Sequence, residues 1–176
     1  LWQSSSRLPV HRVLLAKPAR CVAYAADGSL VAVGCADGGI CAVRPAENPG
    51  ASRRGAPVPT QPTGASGAIE VLSFAPGSGM NGGLLAIGSH DRTIRVLQLA
   101  LDGSRLKVVP VCCCSGHTAT VTHLDWSADG SMLMTNCAAH EILVWSASSG
   151  KKLAHAARAL ATAAWATWTC YLGFPC

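Results

Sequence analysis

His117 to Trp145 reads HTATVTHLDWSADGSMLMTNCAAHEILVW. A first run closes on Trp126, Asp129-Gly130 supplies a tight turn, MLMTN forms a second run, and ILVW ends on Trp145. Asp and Gly tolerate the positive φ that a short hairpin demands. A short apolar run between two such turns is what a strand buried on both faces looks like. The stretch therefore predicts strand, turn, strand, turn, strand.

The same grammar recurs upstream. Arg20 to Val43 reads RCVAYAADGSLVAVGCADGGICAV, and Ile69 to Leu99 reads IEVLSFAPGSGMNGGLLAIGSHDRTIRVLQL. The first strand of each unit ends on an aromatic residue, Tyr24, Phe74 and Trp126, at separations of 50 and 52 positions. LVAVG, LLAIG and MLMTN form the second strands; ICAV, IRVLQL and ILVW form the third. A more polar outer strand is expected after two of the units, at Leu106 to Val109 and at Lys151 to His155. Between Arg44 and Gly64 no strand is expected, because RPAENPGASRRGAPVPTQPTG holds five of the ten prolines and proline cannot donate to a ladder.

Short strands repeating every 40 to 50 residues, about four to a unit, point to an all-β propeller of the WD-repeat type. The expected layout is a partial propeller of about three four-stranded blades plus the start of a fourth. Blade-like units fall at about 12–43, 67–109 and 115–157, with a Pro-rich insertion at 44–64 and the next blade opening at 160–176. Asp37 and Asp91 stand in the turns before the third strands, His117 follows Gly116 at the head of the third unit, and Trp126 and Trp145 read as core anchors. Ala139 occupies the turn position in the third unit, and Val43 and Leu97 stand where Trp145 does. The Asp/His/Trp hydrogen-bond network that staples such a blade is thus expected to be incomplete in every unit. Gly34 and Gly88 read as strand-end glycines.

From Cys114 to Phe174 the chain carries CSGHTATVTHLDWSADGSMLMTNCAAHEILVWSASSGKK and then WATWTCYLGF. This series resembles the echinoderm microtubule-associated protein-like family, whose tandem propellers pass through similar Gly-His, His-Leu-Asp-Trp-Ser and Glu-Ile-Leu-x-Trp-Ser motifs. The resemblance implies a non-enzymatic scaffold in the cytoplasm and cytoskeleton, with tubulin or microtubules as partner. A general WD-repeat protein-interaction platform unrelated to tubulin is the alternative. Three units and part of a fourth do not close a ring, so the chain is expected to be a fragment with exposed strand edges and a tendency to self-associate.

Composition bounds the other classes. At 176 residues, 49% hydrophobic and 13% charged, the chain can bury a core. Lys and Arg number 14 against 9 Asp and Glu, without the dense basic stripe of a nucleic-acid binder, and only 5% of residues are aromatic. No nucleic-acid partner is expected. Ala159 to Cys176 is uncharged but is broken by Thr162, Thr167, Thr169, Gly173 and Pro175, so no membrane span is expected either. The odd count of nine cysteines, mostly inside apolar runs, reads as buried thiols in a reducing compartment.

Cys112-Cys113-Cys114 with His117 has zinc-ligand residue types, but adjacent strand residues face opposite ways, and no metal or other cofactor is expected there. His117, His123, His140 and His155 with Asp125 supply the types for nucleophilic catalysis, yet blade grammar already accounts for them, and no catalytic residue is assigned. Arg53 and Arg54 in the insertion and Lys151 and Lys152 at the outer edge are the candidate contacts to an acidic partner.

Overall fold

The computed structural model of the chain describes residues 13–44, 60–78, 81–102, 105–154 and 163–171. Eleven strands in that part form three antiparallel sheets, with no helix among the described residues. The first sheet runs β1 (Ala19–Tyr24), β2 (Val31–Cys35), β3 (Gly39–Val43) and β4 (Gln61–Pro62). The second runs β5 (Ile69–Phe74), β6 (Asn81–Ser89), β7 (Thr93–Asp102) and β8 (Arg105–Ser115). The third holds β9 (Val121–Trp126), β10 (Met132–Cys137) and β11 (Ile142–Ser146). Consecutive strands pair in each sheet and the three sheets do not close a ring, so the chain is an all-β partial propeller.

The hairpins form for the reason their residues give. Gly28 and Gly130 sit at φ 69° and 71°, and the carboxylates of Asp27 and Asp129 accept the backbone N–H of Ser29 and Ser131 at 2.9 and 3.0 Å. Each turn is thereby fixed by its own side chain.

Three expectations need correction. The segment between Arg44 and Gly64 does end in a strand: β4 pairs with β3 through Gly39↔Pro62 and Ile40↔Gln61. Proline is tolerated there because β4 is an edge strand, where a missing N–H breaks no ladder on its open side. The outer strand of the second unit does not stop at Val109 but continues through the cysteine triplet to Ser115. Its register jumps between Val96↔Cys112 and Leu97↔Pro110, leaving Val111 as the extra residue of a bulge that absorbs the proline. In the third unit the expected strand at Lys151 to His155 is reduced to one bridge, Trp145↔Lys152, and His155 lies outside the described residues.

Units stack through their first strands, and the aromatic ends are the pegs. Phe74 joins the core that also holds Leu30, Ala32 and Ile40 of the first unit. Trp126 joins the one holding Ala86, Ile94 and Val96 of the second, and its indole Nε1 donates to the Ser73 carbonyl at 3.0 Å. Tyr24, the equivalent residue of the first unit, is 53% exposed, as is its neighbour Val22 at 59%, on the face that meets no preceding sheet among the described residues.

Gly34 and Gly88 are more than strand ends. A Cβ on Gly88 would lie 2.6 Å from Val121 Cγ1 and 2.7 Å from Val71 Cγ1, and one on Gly34 would lie 2.7 Å from Ile69 Cγ2. At each junction the first strand of the next unit fills the volume a side chain would need. Gly88→Ala should therefore force the second and third units apart and cost about 1–3 kcal/mol, the range for overpacking a filled core. The shift in urea midpoint measures it, and an unchanged midpoint would contradict this packing.

Candidate functional site

The best-defined constellation lies where the loop before β9 meets the turn between β10 and β11. Thr135 is the buried hydroxyl in the apolar strand MLMTN. Its Oγ1 lies 2.8 Å from Trp145 Nε1, which donates to it, and 2.7 Å from His117 Nε2. His117 Nδ1 lies 3.2 Å from Glu141 Oε2, and the carboxylate also accepts the N–H and hydroxyl of Thr118 at 2.9 and 3.0 Å. With the ring proton on Nδ1, donation runs in one direction from Trp145 through Thr135 and His117 to Glu141. The ring of Trp145 flanks that of His117, centroids 5.9 Å apart.

This network is complete, against the expectation that every unit lacks part of it. Ala139 does leave the turn position without an acid, but His140 adopts φ 60°, and the turn returns Glu141 toward His117. The second unit shows the reduced form. Asp91 there accepts from the N–H groups of Ser66 and Thr93 at 2.9 and 3.0 Å and lies 3.8 Å from the Arg95 guanidinium, while Ile87 and Leu97 replace the hydroxyl and the indole with apolar contact. Asp37 in the first unit accepts from Gly39 N–H at 3.0 Å and from the Thr60 hydroxyl at 3.2 Å.

Protonation follows from burial. Desolvation lowers the His117 pKa below 6.5, outweighing the attraction of Glu141 that raises it. The Thr118 N–H, then the Cys137 thiol, hold Glu141 down at about 2, against an ordinary 4.5. Both shifts act in the same sense: a depressed pKa contributes stability above the unfolded value that is lost as pH falls. The thermal midpoint should thus begin to fall as pH drops through 6.5, where unfolded histidine takes a proton that folded His117 resists, and fall further below 4.5. A pH series of melts checks this, and a flat midpoint from pH 7 to 5 would contradict a neutral His117.

A second buried centre was missed by sequence reading. Asp125, with no exposed surface, accepts from the Thr169 N–H and hydroxyl, both at 2.8 Å, from the Cys170 N–H at 2.7 Å and from the Thr167 hydroxyl. Burial alone would raise its pKa, but the Thr167 hydroxyl and the Cys170 and Thr169 N–H groups outweigh that and lower it. With Ala128 N–H to Ala164 O at 2.7 Å and Ala166 N–H to Trp126 O at 2.9 Å, the carboxylate clamps 163–171 along β9 and seats Trp165 and Cys170 on the third sheet. The chemistry is anchoring: the acid serves backbone and hydroxyl donors, while His123 engages Thr122 and the edge of Tyr171.

The cysteine triplet and His117 do not converge. Cys113 is exposed and accepts from Arg95 Nη1 at 3.2 Å, Cys112 donates to the Ala147 carbonyl at 3.1 Å, and burial pushes the Cys114 thiol up to about 12. Among the described residues, the set that does converge is His117, Cys137 and Glu141, whose donor atoms all lie within 4.8 Å of one another. Of the candidate partner contacts, Lys151 and Lys152 are exposed beside the Gly150 turn, while Arg53, Arg54 and most of the Pro-rich insertion lie outside the described residues.

The family description "Echinoderm microtubule-associated protein second beta-propeller" matches residues 1–176. The chain is similar to human echinoderm microtubule-associated protein-like 2, at 34% identity over 99% of this chain and 24% of that protein. It is also similar to human echinoderm microtubule-associated protein-like 1, at 32% over 99% and 20%. The like-3 protein of human is 38% identical over 60% of this chain and 11% of its own length. The chain thus spans about a quarter or less of the curated relatives it matches. Among solved structures, a chain in "Crystal Structure of Mitotic Checkpoint Complex" superposes with TM-score 0.54 at 21% identity, covering 74% of this chain and 34% of that one, a likeness of fold alone.

Proposed function

The chain belongs to the echinoderm microtubule-associated protein family, within its second β-propeller, and on that premise we propose that it is a non-enzymatic scaffold that binds microtubules through the acidic exterior of tubulin. The match of the whole chain to a propeller of a microtubule-associated family carries this reading. Its physical support is a stack of interlocked sheets, stiff enough to hold separate weak contacts in register, with Lys151 and Lys152 exposed at the outer edge of the third sheet. Arg53 and Arg54 add positive charge in the same chain. No single contact need be strong, because exposed ion pairs contribute about 0–1 kcal/mol each and a rigid face adds them. The corresponding location is the cytoplasm, on the microtubule cytoskeleton.

Contacts of this kind are screened. The Debye length shrinks from about 30 Å at roughly 0.01 M salt to about 8 Å at roughly 0.15 M. Co-sedimentation with microtubules across that range should show affinity falling several-fold. Salt-insensitive pelleting would replace charge with an apolar contact surface, and no pelleting at low salt would favour a propeller platform for some other protein.

A further inference from the structure

The side chains that close the third unit have a chemistry beyond hydrogen bonding. Cys137 and Glu141 lie at the two ends of one tight turn, set by the positive φ of His140 and by His140 N–H to Cys137 O at 3.0 Å. That turn aims both side chains at His117. Cys137 Sγ is 3.1 Å and His117 Nδ1 3.2 Å from the same oxygen, Glu141 Oε2. Two ligands on one tetrahedral zinc ion stand roughly 3.3–3.6 Å apart, given bonds of about 2.0–2.3 Å, so the ion would spread these two contacts by roughly a few tenths of an ångström. A sulfur, an imidazole nitrogen and a carboxylate oxygen are the donor types that ion takes.

We propose that His117 Nδ1, Cys137 Sγ and Glu141 Oε2 form a Zn2+ site that staples the third unit, with the fourth position open to water. The surroundings accommodate the ion without orphaning a polar group. When Nδ1 binds metal, the ring proton resides on Nε2 and is donated to Thr135 Oγ1, 2.7 Å away. That oxygen then accepts from both His117 and Trp145 and turns its own proton to the Leu143 carbonyl, already within 3.3 Å. The Thr118 hydroxyl keeps its bond to Oε1, at 3.0 Å, and the Thr118 N–H, 2.9 Å from Oε2, continues to donate to that oxygen, which can accept while it binds the ion. His117 and Glu141 are thus each oriented by an outer partner, as metal ligands usually are.

Charge closes as well. A thiolate and a carboxylate neutralise Zn2+, the imidazole binds neutral, and the thiol proton of Cys137 leaves to solvent, so nothing is oxidised or reduced. Glu141, with 29% of its side chain exposed, gives the ion a way in.

The test uses the whole chain, reduced and stripped with a chelator, then titrated with Co2+ and afterwards Zn2+. One equivalent of Co2+ should give a thiolate-to-cobalt charge-transfer band that Zn2+ removes, and Zn2+ should raise the melting midpoint. C137S should abolish the band and cut Zn2+ affinity by at least the roughly 10- to 100-fold that loss of even an outer partner costs. C113S, which removes the exposed thiol of the triplet, should change neither. Glu141→Gln alters a partly exposed side chain and should weaken Zn2+ at least about tenfold with the band retained. Absence of the band in the unaltered chain, its persistence in C137S, or unchanged Zn2+ affinity in Glu141→Gln would overturn the site.

Discussion

Replacing Asp125 with alanine is expected to lower stability by about 3–5 kcal/mol, because several buried donors lose the one acceptor they share. The carboxylate is fully buried and receives two backbone N–H groups and two hydroxyls from Thr167, Thr169 and Cys170. Alanine leaves those donors with no acceptor, and each buried unsatisfied donor costs about 1–3 kcal/mol. The effect should be local in its first stage. Residues 163–171 should exchange their amide hydrogens early, while β1 to β8 remain protected. Asp125→Asn keeps an acceptor oxygen but turns an amide N–H2 toward a ring of donors, so it should be nearly as damaging. Wild-type protection of 163–171 in the alanine variant would show that apolar seating of Trp165 and Cys170, and not the carboxylate, holds the segment.

Thr135→Val should cost about 2–4 kcal/mol with almost no change in volume. Two buried nitrogens, Trp145 Nε1 and His117 Nε2, lose their common partner, each at about 1–3 kcal/mol. Since valine matches threonine in shape, no cavity term enters, and Thr135→Ser, which keeps the hydroxyl, separates the two contributions. Denaturant melts followed by tryptophan fluorescence report the change. Valine destabilising no more than serine would mean that the hydrogen-bond chain contributes little and the ring packing of His117 on Trp145 does the stapling.

These two centres also mark how far the sequence could be read. The strands, the Asp-Gly turns and the aromatic pegs were legible because each rests on local rules: alternation, positive φ, and a spacing of 50 and 52 residues that repeats. The family resemblance rested on motifs near Trp126 and Trp145, and whole-chain matching extends it to residues 1–176. What was not legible depends on partners brought together by folding. Asp125 meets its donors 42 to 45 residues later in the chain. Glu141 stands two positions beyond Ala139, the turn position that lacks an acid, and only the backbone angle of His140 returns it to His117. A signal for the network did exist in Thr135, a lone hydroxyl in an apolar strand, diagonal to Trp145 across the β10–β11 pair. β4 was hidden by composition, since proline argues against strand everywhere except at the kind of edge it occupies. Gly34 and Gly88 looked like punctuation because the side chains that require them belong to the next unit.

The claim that ties fold to function is that this stack of sheets presents charge to microtubules from a rigid frame. Its most direct test is co-sedimentation of the whole protein with microtubules at low salt, comparing the unaltered form with Lys151→Glu, Lys152→Glu. Both positions are exposed, so the melting midpoint should stay within about 1 °C while the apparent Kd rises several-fold. An unchanged Kd at an unchanged midpoint would contradict the account and move the contact away from the third sheet.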